Sequence, residues 1–180
     1  PERSSTMSEN FTAKRGMIAP NLTIGPNTTA TVALAANAQL CNQGVIPIGK
    51  GFVLQRPAAE RWLALYGKDA PVHPYRNGRD ISQTCRDAFV IDCERFTLDE
   101  LQQQFPEVFQ HLLNTVKPER QQNGEKYRRE NWWKFGRKHT DLRLANGGLP
   151  RFIATVKTAR HRFFTFLDGA IVADSKLYAV

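Results

Sequence analysis

Apolar and polar positions divide the chain into a polar lead-in followed by mixed helical and strand patterns. Residues 1–28 are polar and carry Ser4, Ser5, Ser8, Gly25 and Pro26, which predicts an extended lead-in or linker. Residues 29–180 hold the apolar patterning and form the predicted domain. Ala30–Gln39, rich in Ala and β-branched residues, fits a strand entering a helix or one short helix. Gly44, Pro47, Gly49 and Gly51 make Asn42 to Gly51 a loop, and Phe52–Leu54 reads as a short strand. Pro57 opens a helix where its missing N–H costs nothing. That helix runs over Ala58–Tyr66 with Trp62 and Leu65 on the buried side and ends at Gly67. His73-Pro-Tyr-Arg-Asn-Gly78 reads as a turn, and Phe89–Asp92 as a buried strand.

The clearest helical pattern begins at Thr97, where Thr97-x-x-Glu100 has capping-box spacing. Leu98, Leu101, Phe105, Val108, Phe109, Leu112 and Val116 form its apolar stripe, and Pro106 breaks it near Phe105 into two helices. Tyr127–Phe135 reads as a helix. Trp132 and Trp133 are neighbours about 100° apart on it, so one enters the core and the other is exposed or interfacial. Arg128–Trp132 and Arg129–Trp133 have the i,i+4 spacing of stacked pairs. Asp141–Asn146 reads as one more short helix, stopped at Gly147-Gly148. Arg151–Val156 and Arg162–Leu167 read as strands around a loop at Lys157–His161, and Asp168-Gly169 reads as a hairpin turn into Ala170–Ala173. Helices mixed with non-alternating strands predict an α+β fold, small mixed sheets with flanking helices.

Composition sharpens this. The chain has 180 residues, 41% hydrophobic and 23% charged, the usage of a folded domain. No apolar run reaches the roughly 20 residues of a membrane span. No secretory pattern precedes Met7, the first methionine, and a cytoplasmic fragment of a longer protein is expected. Cys41, Cys85 and Cys93 are odd in number, without a CxxC pair, and read as reduced thiols rather than zinc ligands. The net charge of +8 is concentrated: residues 117–162 hold 13 basic and 4 acidic side chains. Such a segment suits a polyanion-binding surface.

Catalytic signatures are missing. There is no phosphate-binding glycine loop, no GxSxG elbow and no HExxH. Asp87, Asp92 and Glu94 lie close enough in sequence to raise a small metal-dependent nuclease, although no lysine follows at Asp/Glu-x-Lys spacing. Of the dispersed histidines, only His161 lies in a basic loop. Duplex recognition needs phosphate contacts for affinity and base-edge contacts for discrimination. Lys117, Arg120, Lys126, Arg128, Arg129, Lys134, Arg137, Lys138 and Arg143 suit the first task. Lys157, Arg160, His161 and Arg162, held between two strands, suit the second. A single-stranded nucleic-acid binder stacking bases on Tyr127, Trp132 and Trp133 is the alternative.

Several blocks, in order, resemble the target-recognition domains of large single-chain restriction–modification DNA methyltransferases. They are Ala36-Asn-Ala-Gln-Leu-Cys-Asn-Gln-Gly44 with Gly49-Lys-Gly-Phe-Val53, Pro74-Tyr-Arg-Asn-Gly-Arg-Asp-Ile81, and Phe89-Val-Ile-Asp92. Phe105-Pro106 and Val116-Lys-Pro-Glu-Arg120 follow. Next come Tyr127-Arg-x-x-x-Trp-Trp-x-Phe-Gly136, Arg151-Phe-Ile-Ala-Thr155, Lys157 and His161-Arg-x-Phe164. The resemblance covers about residues 36–180. Arg76 stands where the family usually has an aliphatic residue, and Cys93 follows Asp92 where the family has an aromatic. The resemblance implies a module that reads a short duplex sequence for a neighbouring domain. That domain would flip an adenine and methylate its N6 from S-adenosylmethionine, with or without endonuclease activity in the same parent chain. The family's Asn-Pro-Pro-Tyr motif is absent here, so this stretch is expected to be catalytically silent and to hold no cofactor itself. The implied partners are double-stranded DNA and the methyltransferase domain, with no membrane.

Overall fold

The computed structural model describes residues 12, 13, 15, 16, 18, 24, 32, 34, 35, 40–137, 142 and 147–180. Contacts divide the chain into two units, Pro1–Ala38 and Gln39–Val180. In the first, Ile18 and Ile24 form an antiparallel bridge. The expected lead-in and the Ala30–Gln39 element fall mostly outside the described residues, as does the expected helix at 141–146.

The second unit is α+β, with two small four-stranded sheets and flanking helices. One sheet has the order β2 (Val53–Leu54), β4 (Phe89–Ile91), β3 (Val72–Arg76), β7 (Val172–Ala173). The other has the order β1 (Asn42–Gln43), β8 (Leu177–Ala179), β5 (Arg151–Val156), β6 (Thr165–Asp168). Phe89, Val90 and Ile91 are all buried, as an uninterrupted apolar run in a central strand should be. β3 pairs antiparallel with β4 and parallel with β7, so the mixed sheet is closed by a strand about a hundred residues downstream. The Tyr75 hydroxyl donates to the Asp174 carboxylate beside that parallel pair. Burial pushes the tyrosine pKa up, and the Asp174 hydrogen bond pushes it further.

Sequence and structure part company at several places. Residues 73–76 form a strand rather than a turn. Tyr75 N–H donates to Ala88 on the β4 side, so the missing N–H of Pro74 faces the opposite side, before pairing with β7 begins at Tyr75. The first helix, α1 (Arg56–Tyr66), has Pro57 in its first turn and Gly67 at its end with φ +62°. Its inward face is Ala59, Trp62, Leu63 and Tyr66; Leu65 is 55% exposed, not buried. Residues 42–43 pair with β8 instead of lying in a loop. Asp168 turns the chain as expected, its carboxylate accepting from the Ala170 N–H, but the following segment crosses to β3 and makes no hairpin with β6.

After the short helix α2 (Gly78–Ser82), α3 (Leu98–Gln104) starts at the predicted capping box. Thr97 Oγ1 accepts from Glu100 N–H at 3.3 Å, and the Glu100 carboxylate accepts from Thr97 N–H at 2.8 Å. Phe105 is the break, and Pro106 opens α4 (Pro106–Thr115), which buries Val108 and Leu112. α5 (Lys117–Gln121) and α6 (Lys126–Glu130) follow; the latter ends five residues before the predicted Phe135. Trp132 is buried, and the Trp133 indole N–H donates to the Phe96 carbonyl at 3.1 Å. The rings over which cations sit differ from expectation: Lys117 lies over Trp132 and Lys134 over Trp133.

Arg120 is the main correction within the basic segment. It is 1% exposed and cannot present its charge to a phosphate. Its Nη2 donates to the carbonyls of Pro47 (2.7 Å) and Lys134 (2.9 Å), tying α5 to two irregular stretches. The guanidinium carbon lies 5.5 Å from the Phe52 ring centroid. Breaking such a contact takes the Arg120 donor from the buried Pro47 carbonyl and the half-buried Lys134 carbonyl and leaves a hole beside Phe52. Arg120→Ala should therefore cost about 3 kcal/mol of unfolding free energy in urea titrations. Lys126→Ala, on an exposed side chain, should stay within about 0.5 kcal/mol. Equal small losses would refute a structural role for Arg120.

Candidate nucleic-acid interface

The loop between β5 and β6 is held at both ends. Lys157 N–H donates to the Lys176 carbonyl (2.8 Å), Thr155 Oγ1 to the Phe163 carbonyl (2.7 Å), and Arg162 Nη1 to the Val156 carbonyl (3.3 Å). Between these ties, Lys157, Thr158, Arg160 and His161 are exposed. Side chains so placed reach outward from a fixed base, which is what base-edge contact requires.

Beside this loop lies α2. Asn77 caps it, its side-chain oxygen accepting from the N–H groups of Arg79 (2.9 Å) and Asp80 (3.2 Å). Asp80 returns the contact, accepting from Asn77 N–H at 2.8 Å. The same carboxylate takes Arg86 N–H at 3.1 Å and a two-pronged guanidinium contact, 2.8 Å on each oxygen. Burial pushes the Asp80 carboxyl upward, but the Arg86 side chain and the backbone N–H groups of Asn77 and Arg86 outweigh it and bring the pKa to about 2. Gly78 lies against the end of β5: a Cβ there would sit 3.1 Å from Val156 Cγ1, so a larger residue would press on that side chain.

Where α2 and the loop meet there is an open cleft of about 420 Å³ whose lining includes Arg79, Ser82, Arg86, Val156, Thr158 and Lys176. Arg86 is matched by Asp80. Arg79 and Lys176 are exposed and, among the described residues, share no ion pair with a carboxylate; the same holds for Lys157, Arg160 and Arg162. The cleft thus carries net positive charge among the described residues. Arg79 and Lys176 were not among the residues expected from sequence. Arg79 sits in the Pro74–Ile81 block, where the motif was read for its turn, and Lys176 is a lone cation in an otherwise acidic C-terminal stretch.

The phosphate-contact set of the basic segment is only partly available. Lys126 (3.7 Å from Glu130) and Arg137 are exposed. Arg128 has a side chain 17% exposed, paired with Glu125 at 2.9 Å. Arg129 points its Nη1 at the carbonyls of Asn123 (2.7 Å) and Gly124 (2.9 Å), bracing the turn before α6. Lys117 and Lys134 are half-buried over tryptophans. Lys138 and Arg143 lie outside the described residues. The three aromatics expected as a stacking platform are not one: Trp132 is core, and Tyr127 and Trp133 are half-buried. Nor do the three carboxylates converge. Asp87 pairs with Arg56 and Arg76, Asp92 accepts from Glu94 N–H, and Glu94 accepts from Phe135 N–H. Among the described residues there is no group of three or more side chains able to hold a metal ion, and no described helix is long and apolar enough to cross a membrane.

No protein-family model and no curated protein matches the chain. Among solved structures, one of the type IIL restriction–modification enzyme MmeI in complex with DNA is similar, with a TM-score of 0.64 at 11% identity. The likeness covers 96% of this chain and 23% of that one. The chain shares its fold with part of that enzyme. It spans less than a quarter of the enzyme's length.

The Asp80 carboxylate gives the cleft a pH dependence. Its folded pKa lies below its ordinary value of 3.8, so its contribution is fully present above pH 4 and is lost as pH falls through about 2. The shift corresponds to about 2 kcal/mol. Urea unfolding of the wild type should weaken by that amount between pH 4 and 2 relative to Asp80→Asn. Parallel pH profiles for the two proteins would contradict it.

Proposed function

We propose that this chain is a sequence-specific duplex-DNA recognition domain that directs a neighbouring S-adenosylmethionine-dependent adenine-N6 methyltransferase of a restriction–modification enzyme. The observation that carries the reading is the pinned basic loop beside the cleft, whose Lys157, Arg160, Arg79 and Lys176 have no carboxylate partner among the described residues. Two further facts support it. The fold is similar to part of a restriction–modification enzyme whose structure contains DNA, and the motif blocks run in the family's order.

In this reading the work is divided. Lys126, Arg137, Arg79 and Lys176 neutralise phosphates, which sets register and affinity for any sequence. Arg160, Arg162, His161 and Lys157 face base edges in the major groove, where Arg and Lys recognise the paired acceptors of guanine. The methyl donor and the flipped adenine belong to the neighbouring domain; this chain supplies position.

Selection of bound duplexes from a random library, repeated with variants, tests this division. Arg160→Ala and Arg162→Ala should relax preference at one or two base pairs by about 5- to 100-fold. Arg137→Glu and Lys176→Glu should weaken all duplexes by a common factor and leave the selected sequence unchanged. Variants of both kinds behaving alike would overturn it.

A further inference from the structure

The second sheet has two unlike faces. Phe152, Ala154, Val156, Leu177 and Ala179 point into the core. The opposite face is expected to be polar in an antiparallel sheet covered on one side. Here it mixes apolar and aromatic side chains with Arg151, Asp168 and Thr155. Ile153 pairs with Phe166 on β6 and exchanges backbone hydrogen bonds with Val180, so these three side chains form a row across the sheet. Thr155 pairs with Tyr178 in the next row. Phe166 is 57% exposed and Val180 48%. Phe164, two residues before Phe166 at the exit of the basic loop, is 62% exposed while its neighbour Phe163 packs on the core.

Cations frame this face. The Arg151 guanidinium lies 4.3 Å over the Phe166 ring, and the Lys157 ammonium 5.9 Å from the Tyr178 centroid. A surface meant for a protein partner would carry few charges at its centre. Exposed rings interleaved with Arg and Lys are instead the composition on which nucleobases stack while the adjoining phosphates are neutralised. Phe166 already carries Arg151 on one face, whereas among the described residues Phe164 has no ring or cation against it, which makes Phe164 the open stacking ring.

We propose that the rim of the outer face of the β1-β8-β5-β6 sheet, just before β6, is a stacking site for an unpaired nucleobase, with Phe164 as the platform and Arg151 contacting a flanking phosphate. This rests on the nucleic-acid reading above but adds to it a base that has left the duplex. Both faces of a base inside an intact stack are already covered, so stacking on Phe164 predicts preference for DNA with a base already free.

The test is binding of the 180-residue chain to three labelled DNAs: a perfect duplex, the same duplex with one unpaired adenine, and a single strand of equal length. The wild type should bind the bulged duplex about five- to a hundredfold more tightly than the perfect one, the range of one base–aromatic stack. Phe164→Ala should abolish that preference and leave perfect-duplex affinity within about twofold. Phe164→Trp, which keeps a ring, should retain it. A thermal melt of each variant checks that the exposed substitution has not unfolded the chain. Equal wild-type affinity for bulged and perfect duplex overturns the stacking site and leaves duplex recognition standing. Binding to the bulged or single-stranded DNA without binding to the perfect duplex does the reverse. A concentration-dependent dimer lost in Phe166→Ser, with no bulge preference, overturns the site in favour of contact between copies.

Discussion

The cleft depends on one buried carboxylate. Asp80 accepts from the Asn77 N–H, the Arg86 N–H and both prongs of the Arg86 guanidinium, so it closes the connection between β3 and β4 at two points. Because that connection carries α2, and α2 rests on the end of β5 through Gly78, the carboxylate sets where Arg79 stands relative to the loop. A buried charge is costly unless its lone pairs are filled, and here the filling groups are also the ones that shape the site. With Asp80 engaged by Arg86, Arg79 and Lys176 make no ion pair with a carboxylate among the described residues.

The positive charge of the basic segment does two different things. A tally of Lys and Arg over residues 117–162 treats every cation as surface. The fold uses Arg120 as a core brace, Arg129 as a clamp on a turn, and Arg128 as the partner of Glu125. The outward set from that segment is smaller, and Arg79 and Lys176 join it from outside the segment. Charge concentration counts the cations of a segment; the fold decides which of them face outward.

Legibility followed the range of the interactions involved. Local signals were reliable: the Thr97 capping box, the break at Pro106, the buried strand at Phe89–Ile91 and the limits of β5 are set by neighbours in sequence. Contacts between distant segments were not legible. Residues 73–76 became a strand because β4 and, about a hundred residues later, β7 supply partners. Trp132 and Trp133 both turned inward because α4 and the Phe96 region close over them. The basic loop was visible because it lies between two apolar runs; its cleft was not, since the cleft is made by α2 and Lys176 arriving from elsewhere.

The central claim is that the exposed, carboxylate-free cations form a duplex-binding surface. The most direct measurement is fluorescence anisotropy of a perfect duplex titrated with this chain across a series of salt concentrations. Saturable binding is expected, with the logarithm of the binding constant falling linearly with the logarithm of salt at a slope of about −4 to −6 for roughly four to seven phosphate contacts. Absence of binding at low salt, or binding indifferent to salt, would contradict it.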